Sequence, residues 1–200
     1  YGLVAIGCCA GASNQSGNVN IAIGYYTLKN ATASCNIGIG WAAGSQVTNS
    51  NFNIFLGTSA GQYVTTGSCN IALGLCAGRG NASSKATNCH NISLGTFAGR
   101  GLTSGNKNIL LGMCAGDALT TGYNNIFLGE EAGLLSTSAG GNIYMGSSAG
   151  RCRTAAENNV FLGVNAGRNG TSGCLTIAIG PSAGLSNTAN NNIFQGNQAG

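Results

Sequence analysis

Apolar and polar positions follow one short pattern that recurs along the whole chain. Each copy reads Asn, Ile, a variable residue, a second apolar residue and Gly, as residues 53–57 and 125–129 do. Apolar residues on either side of a variable one have the two-residue period of a β-strand, and the glycine that follows favours a bend. The pattern therefore predicts one short strand per copy. The copies start at residues 3, 20, 36, 53, 70, 91, 108, 125, 142, 159, 176 and 192.

The spacing of the copies predicts how the strands are arranged. Successive copies start 16 or 17 residues apart, except that 21 residues separate the starts at 70 and 91. A unit this short cannot bury its apolar surface alone, whereas stacked units pair each strand with the next at about 4.8 Å. We therefore predict an all-β fold, a parallel β-solenoid (β-roll) of about twelve 17-residue coils. Residues 1–200 form a single repeat array, which we expect to be part of a longer chain or filament.

The two faces of each strand differ in composition. Numbering places in each copy from its Asn, places 2 and 4 are apolar and are expected to face the core. Place 3 varies and is aromatic in Phe55, Phe127, Tyr144, Phe161 and Phe194. Because two large apolar side chains per coil make a thin core, we expect these outward aromatic residues to be buried against another chain.

Place 1 is the candidate for a side-chain ladder. A stack of amides along the solenoid axis explains why Asp, Ser and Gly are absent there, although a local turn bond facing solvent is the alternative. Places 8 and 9 read Ala-Gly except at Thr27-Leu28, which indicates a second tight corner, and a Thr recurs near place 13 as a ladder or a turn residue. The candidate Asn ladder comprises Asn20, Asn36, Asn53, Asn70, Asn91, Asn108, Asn125, Asn142, Asn159 and Asn192.

Composition removes several classes of protein. The chain has 35 Gly but one Pro, a net charge of +4 and 43% apolar residues, which fits neither collagen nor a disordered segment. No apolar run is long enough to cross a membrane, and the weak positive charge disfavours nucleic acid. With His90 as its one histidine and few carboxylates, the chain is poorly equipped for acid–base chemistry. We expect no enzyme, no catalytic residues, no metal and no cofactor.

Nine cysteines occur without a CxxC motif. Cys69 and Cys89 lie in adjacent coils near the same column, where a column is the set of residues at one place in successive coils. They are the candidate disulfide, and free buried thiols are the alternative. The odd count leaves at least one thiol free or intermolecular.

Two further sets of residues suggest surface chemistry. The glycosylation sequons at Asn14, Asn30, Asn81 and Asn169 fall in the variable part of the coil, whereas the sequon at Asn91 belongs to the ladder and is expected to be inaccessible. Place 10 carries four arginines that are candidates for binding sulfate, phosphate or acidic glycans, or that simply keep the rod soluble. They are Arg79, Arg100, Arg151 and Arg168.

The strings IGYYTLKNAT, IFLGTSAGQYVTTGSCNIALG and ILLGMCAGDALTTGYNNIFLG resemble repeats of phage and bacterial tail-fibre-like surface proteins. More distantly, they are similar to the head repeats of trimeric autotransporter adhesins. The resemblance implies a β-roll or solenoid, often trimeric, that projects from a virion or cell as a spacer or adhesive shaft. The nine cysteines depart from such shafts.

These observations favour a non-enzymatic structural segment of an extracellular or virion fibre, a stiff rod that associates with itself laterally or end to end. The expected location is extracellular, on a cell surface or on a virion. An ice-binding solenoid is the alternative from a different class, although only one Thr recurs per coil. A glycan-binding adhesin shaft that uses the arginine column is a further alternative.

Overall fold

A computed structural model describes residues 2–14 and 16–200 and shows an all-β protein. Twelve parallel strands form one sheet in chain order, and coils of about 17 residues stack into a β-solenoid of about eleven turns. The predicted fold class is therefore confirmed. The strands are β1 Leu3–Ile6, β2 Asn20–Ile23, β3 Ile37–Ile39, β4 Ile54–Leu56, β5 Ile71–Leu73, β6 Ile92–Leu94, β7 Ile109–Leu111, β8 Ile126–Leu128, β9 Ile143–Met145, β10 Val160–Leu162, β11 Ile177–Ile179 and β12 Ile193–Gln195.

Equivalent residues of successive coils lie directly over one another. Ile54 pairs with Ile71, and Ile71 pairs with Ile92 across the 21-residue coil. The additional residues leave the register unchanged because they project as a loop, after which Ala86 returns to a bridge with Val64. The stacking that the period predicts therefore extends along the whole sheet.

The glycine at place 5 is required by the approach of neighbouring coils. These residues have φ between 119° and 140°, a region that L side chains rarely adopt. A Cβ added to any of them except Gly196 would lie 2.4–2.8 Å from the backbone of the place 5 glycine in the next coil. Conformation and contact both exclude a side chain, which explains why place 5 is Gly in all twelve copies.

The core lies on the opposite face of the strands from the one that we predicted. Phe55, Phe127, Tyr144 and Phe161 at place 3 are fully buried inside the solenoid, and Phe194 in the last strand packs partly against the same core. Places 2 and 4 face outward. The prediction that the aromatic residues of place 3 face outward is therefore wrong.

Glycine at place 9 makes room for these aromatic side chains. Gly61 has φ of 58°, and a Cβ on it would lie 2.3 Å from Cδ1 of Phe55. Gly133 stands in the same relation to Phe127, with 2.4 Å between the added Cβ and Cε2. The Ala-Gly column is thus the wall against which place 3 packs.

Aromatic stacking runs along the axis in the second half of the core. The ring centroids of Phe127 and Tyr144 are 4.7 Å apart with planes 1° from parallel, and those of Tyr144 and Phe161 are 5.0 Å apart at 9°. The distances match the spacing between coils, so one aromatic residue per coil extends the stack. Small alanines at place 8 and the buried Val47, Val64, Leu102 and Leu119 complete the core.

The asparagines of place 1 form a column of hydrogen-bonded amides. In the middle of the column, Nδ2 of Asn108 donates to Oδ1 of Asn91 at 3.0 Å and to the carbonyl oxygen of Gly122 at 2.9 Å. The backbone N–H of Asn108 also donates to Oδ1 of Asn91. Direct amide-to-amide bonds run from Asn36 to Asn159, where Thr176 interrupts the column before Asn192.

Candidate functional site

The outer face of the sheet is an uninterrupted apolar surface. Along places 2 and 4, strands β2–β11 present Ile, Val, Leu or Met at each position. Each of these side chains is half-buried or exposed, with exposed fractions of 36–42% for Ile39, Leu73, Met145 and Ile179. We call this surface the sheet face. It consists of Ile21, Ile23, Ile37, Ile39, Ile54, Leu56, Ile71, Leu73, Ile92, Leu94, Ile109, Leu111, Ile126, Leu128, Ile143, Met145, Val160, Leu162, Ile177 and Ile179.

The sheet face is flat and long. Stacking of ten strands at about 4.8 Å gives a length of about 48 Å, and three residues at about 3.3 Å give a width of about 10 Å. The product is on the order of 500 Å², in the upper part of the range of about 300–600 Å² that the largest apolar patch of a monomer covers, and such a patch is often functional.

Two flanking columns extend the apolar character beyond the strands. The place just before each Asn carries Phe52, which is 63% exposed, and place 6 carries Trp41, which is 50% exposed. Exposed apolar side chains in these columns are not confined to one coil. They include Val19, Phe52 and Leu175 before the Asn, and Tyr25, Trp41, Leu75, Met113 and Val164 at place 6.

Charge is sparse in the flanking columns and separates by sign. Lys107 precedes β7 on one edge of the sheet, with His90 beside it in the previous coil. Glu130 follows β8 on the opposite edge. All three side chains are exposed. Lys107 and Glu130 therefore lie at opposite edges of the sheet, within one coil of the same level.

The structure neutralises two of the four place 10 arginines. Nη2 of Arg100 donates to Oδ2 of Asp117 at 2.8 Å, and its Nε lies 2.8 Å from Oδ1. Nε of Arg151 donates to Oε2 of Glu131 at 2.7 Å. Arg79 and Arg168 have no such carboxylate partner among the ion pairs of the described residues, and Nε of each is buried without a hydrogen-bond partner.

The inserted loop creates a groove that the periodic pattern does not predict. Residues 81–85 project from the solenoid, and the backbone N–H of Ser83 donates to Oδ1 of Asn81 at 2.8 Å. One side of the loop borders a groove of about 550 Å³, and the other side borders a cavity of about 130 Å³. Tyr63, Asn81 and Ala82 line both spaces. The signal in the sequence is the 21-residue coil itself.

Charged groups in the large groove come from three successive coils. It is lined by Arg79, Arg100 and Asp117, together with Tyr63 and Thr120. The guanidinium carbon of Arg79 lies 5.7 Å from the centroid of the Tyr63 ring. Burial raises the pKa of the Asp117 carboxyl, while the adjacent Arg100 and Arg79 oppose that shift.

The two cysteines of the candidate disulfide are offset by one place. The register aligns Cys69 with His90 and places Cys89 over Ser68, whose backbone N–H donates to Sγ of Cys89 at 3.3 Å. Both thiols are free, so the Cys69–Cys89 bond is not formed in this structure. The remaining cysteines of the described chain are free as well.

The sequons differ in accessibility. Asn81 and Asn169 are exposed, whereas Asn14 and Asn30 are half-buried, and Nδ2 of Asn30 donates to Oε1 of Gln46 at 3.2 Å. Asn91 is buried in the ladder. Asn81 and Asn169 are therefore the two variable-arc sequons that are exposed to solvent.

Comparison of the chain with models of known protein families, with curated proteins and with solved structures gave no match. Within the described ranges, no group of three or more His, Cys, Asp or Glu residues is arranged to hold a metal ion. The same ranges contain no helix of the length and hydropathy needed to cross a bilayer. Among the described residues, the sheet face, which the repeat builds, and the groove beside the inserted loop, which departs from it, are the two candidate interaction surfaces.

Proposed function

We propose that the chain is a structural repeat segment of an extracellular or virion fibre, which acts without enzymatic chemistry and associates laterally with copies of itself through the sheet face. The observation that carries this proposal is the exposed row of Ile, Leu and Met at places 2 and 4. A continuous apolar surface of this size is typical of interaction sites and is costly to leave in water.

The area of the sheet face fits a second copy. A standard protein interface buries about 800 Å² per partner, and the sheet face together with its flanking columns reaches this size. A flat periodic surface fits best against another surface of the same period, because side chains that repeat at one spacing interdigitate along the whole length. A second copy of this chain supplies that period.

The charges at the two edges favour one arrangement of the copies. A rotation axis parallel to the solenoid axis brings the starting edge of one sheet against the finishing edge of the next at the same height. Lys107 of one copy then lies within about one coil, ~5 Å along the axis, of Glu130 of the next. An antiparallel arrangement instead brings like edges together. Charge complementarity therefore supports parallel association in register, in pairs or in threes.

The same features support the remaining parts of the proposal. The laddered amides and the parallel backbone bonds give a stiff rod, and the exposed Asn169 would project a glycan away from the sheet face. The ice-binding alternative has less support because the place 13 hydroxyls donate hydrogen bonds to carbonyl oxygens of the next coil. Oγ1 of Thr120, for example, donates to the carbonyl oxygen of Thr137 at 3.0 Å.

Sedimentation analysis tests the assembly directly. The wild-type chain is expected to sediment as a dimer or trimer, and the double variant Leu94→Lys/Leu111→Lys as a monomer, because two ammonium groups would be buried in the interface. Ser104→Lys/Thr121→Lys is the matched control, since it adds the same charges to the same coils at exposed positions outside the sheet face. Circular dichroism verifies that each variant is folded.

A charge exchange tests the arrangement. Lys107→Glu is expected to weaken association, and Lys107→Glu/Glu130→Lys to restore it. A wild-type chain that remains monomeric at high concentration would overturn the proposal, as would equal association of the Leu94→Lys/Leu111→Lys variant and its control.

A further inference from the structure

The groove beside the inserted loop lies where the side of the solenoid departs from its repeat. We propose that this groove binds a carboxylate-bearing saccharide, with Arg79 holding the carboxylate. The proposal concerns a ligand site on the side of the rod and does not depend on association through the sheet face.

The groove contains a positive charge that no ion pair of the described residues compensates. The carboxylate of Asp117 is held by two contacts from Arg100 and is therefore neutralised. Arg79 lies in the same column one coil away, and neither ion pair of the described residues includes it. Lys85 on the loop adds a second cation at the smaller cavity. The groove region therefore carries a net positive charge.

The guanidinium group of Arg79 has the geometry to bind a carboxylate. Its Nε is buried without a hydrogen-bond partner, which is an unfavourable state for a charged donor. A guanidinium group presents parallel N–H donors that match the two oxygens of a carboxylate. Because Arg79 lines the groove, a ligand carboxylate placed there would pair with its guanidinium group and compensate the positive charge.

The other residues that line the groove offer polar groups and an aromatic ring. Asn81 and Thr120 supply an amide and a hydroxyl, and Gly80 and Gly101 line the groove without side chains. Tyr63 contributes an aromatic ring between the two spaces. Hydroxyl-rich ligands need several such weak polar partners beside one ring, and about 550 Å³ lies within the size range of small-ligand sites.

The other arginines of the column provide the comparison that isolates the groove. Arg168 occupies the same place, and its Nε is also buried without a partner, but its coil has the ordinary spacing and no inserted loop. If a place 10 arginine alone were sufficient, Arg168 would bind the same ligand. The proposal requires Arg79 together with the loop.

Titration calorimetry with the full chain tests the site. The probe is an oligosaccharide that alternates a uronic acid with a neutral sugar, compared with its carboxyl-reduced neutral form and with a sulfated oligosaccharide of equal length. The uronic acid form is expected to bind at least tenfold more tightly than either of the others. The variant Arg79→Gln is expected to lose at least tenfold in affinity, whereas Arg168→Gln remains as the wild type.

A second variant removes the wall of the groove. Deletion of residues 81–84 restores the 17-residue spacing and keeps Arg79, and it is expected to abolish binding while the melting temperature is retained. Equal binding of the neutral form, tighter binding of the sulfated form, equal losses in Arg79→Gln and Arg168→Gln, or full binding after the deletion would each overturn the proposal. Because sedimentation reports the sheet face and calorimetry reports the groove, failure of one is distinguishable from failure of the other.

Discussion

Leu28 occupies the interior space that Gly38 leaves empty. A Cβ on Gly38 would lie 2.8 Å from Cγ of Leu28 and 2.7 Å from Cγ2 of Thr27. Leu28 and Gly38 both depart from the repeat, since place 9 is otherwise Gly and place 3 is otherwise occupied by a side chain. A large residue at one place compensates for a missing side chain at the other.

This compensation predicts non-additive effects of substitution. Thr27→Ala/Leu28→Gly is expected to lower the free energy of unfolding by about 2–4 kcal/mol because it opens a cavity. Gly38→Phe alone is expected to cost about 1–3 kcal/mol or more because it overpacks the site. The triple variant restores the ordinary repeat and is expected to lie within about 1 kcal/mol of the wild type. Urea denaturation measures all three, and simple additivity in the triple variant would contradict the compensation.

The buried stack predicts an opposite sign for two similar substitutions. The hydroxyl of Tyr144 is buried without a hydrogen-bond partner, and burial raises the pKa of the group. Tyr144→Phe is expected to stabilise the fold by about 1 kcal/mol, because it removes an unsatisfied polar atom and keeps the ring. Phe161→Tyr places the same atom in the neighbouring ring and is expected to cost about 1–3 kcal/mol. Thermal unfolding would count against this reasoning if Tyr144→Phe lowered the melting temperature.

The repeat and its stacking follow from the sequence because period, glycine column and strand length all agree on one architecture. The sequence does not show in the same way which face of each strand is turned toward the core. Alternation assigns Ile54 and Leu56 to one face and Phe55 to the other, but it does not say which face is enclosed. Places 2 and 4 carry a large apolar residue in nearly every copy, which favours them as the core. The space beside Gly61 instead accommodates the ring of Phe55, so the face of place 3 is the enclosed one.

The candidate sites differ in how far the sequence reveals them. The amide ladder is readable because it repeats at a fixed place, whereas the Arg100–Asp117 pair depends on two residues that occur once at adjacent levels. The groove arises at the 21-residue coil, the one large change in the spacing of the copies. Because the inserted residues have no equivalents in other coils, the repeat pattern does not predict which residues line the groove. The single-place offset of Cys89 from Cys69 likewise depends on how the inserted residues are accommodated.

The amide ladder predicts a position-dependent cost for the loss of Asn. Asn108 makes bonds to both neighbouring ladder residues and to the carbonyl oxygen of Gly122, all in the interior. Asn108→Ala is therefore expected to lower the free energy of unfolding by about 2–4 kcal/mol. Asn192→Ala is the matched control, since Asn192 is only half-buried and its Nδ2 donates to the nearby carbonyl oxygen of Asn190 at 3.0 Å. We expect it to cost less than about 1 kcal/mol, and equal costs in chemical denaturation would refute a ladder contribution.

Substitution of Arg153 is expected to lower stability locally, over three coils. Its guanidinium is enclosed in the core, 4.9 Å from the Phe161 ring, and donates to the carbonyl oxygens of Ser172 and, at 2.6 Å, Asn187. A Cβ on Gly170 would lie 2.5 Å from its Nη2, so this glycine makes the space. Burial lowers the pKa of the Arg153 guanidinium group.

Arg153→Met keeps an unbranched side chain but leaves the carbonyl groups of Ser172 and Asn187 without their donor. Because each coil of a solenoid contacts only its neighbours, we expect the loss to remain near the site rather than to unfold the rod. Hydrogen exchange is expected to accelerate at least tenfold for the amides of residues 170–189 and to stay unchanged for those of residues 53–75. Uniform acceleration along the whole chain would show that the coils unfold as one unit, and unchanged exchange near residue 170 would show that the buried cation adds nothing to local stability.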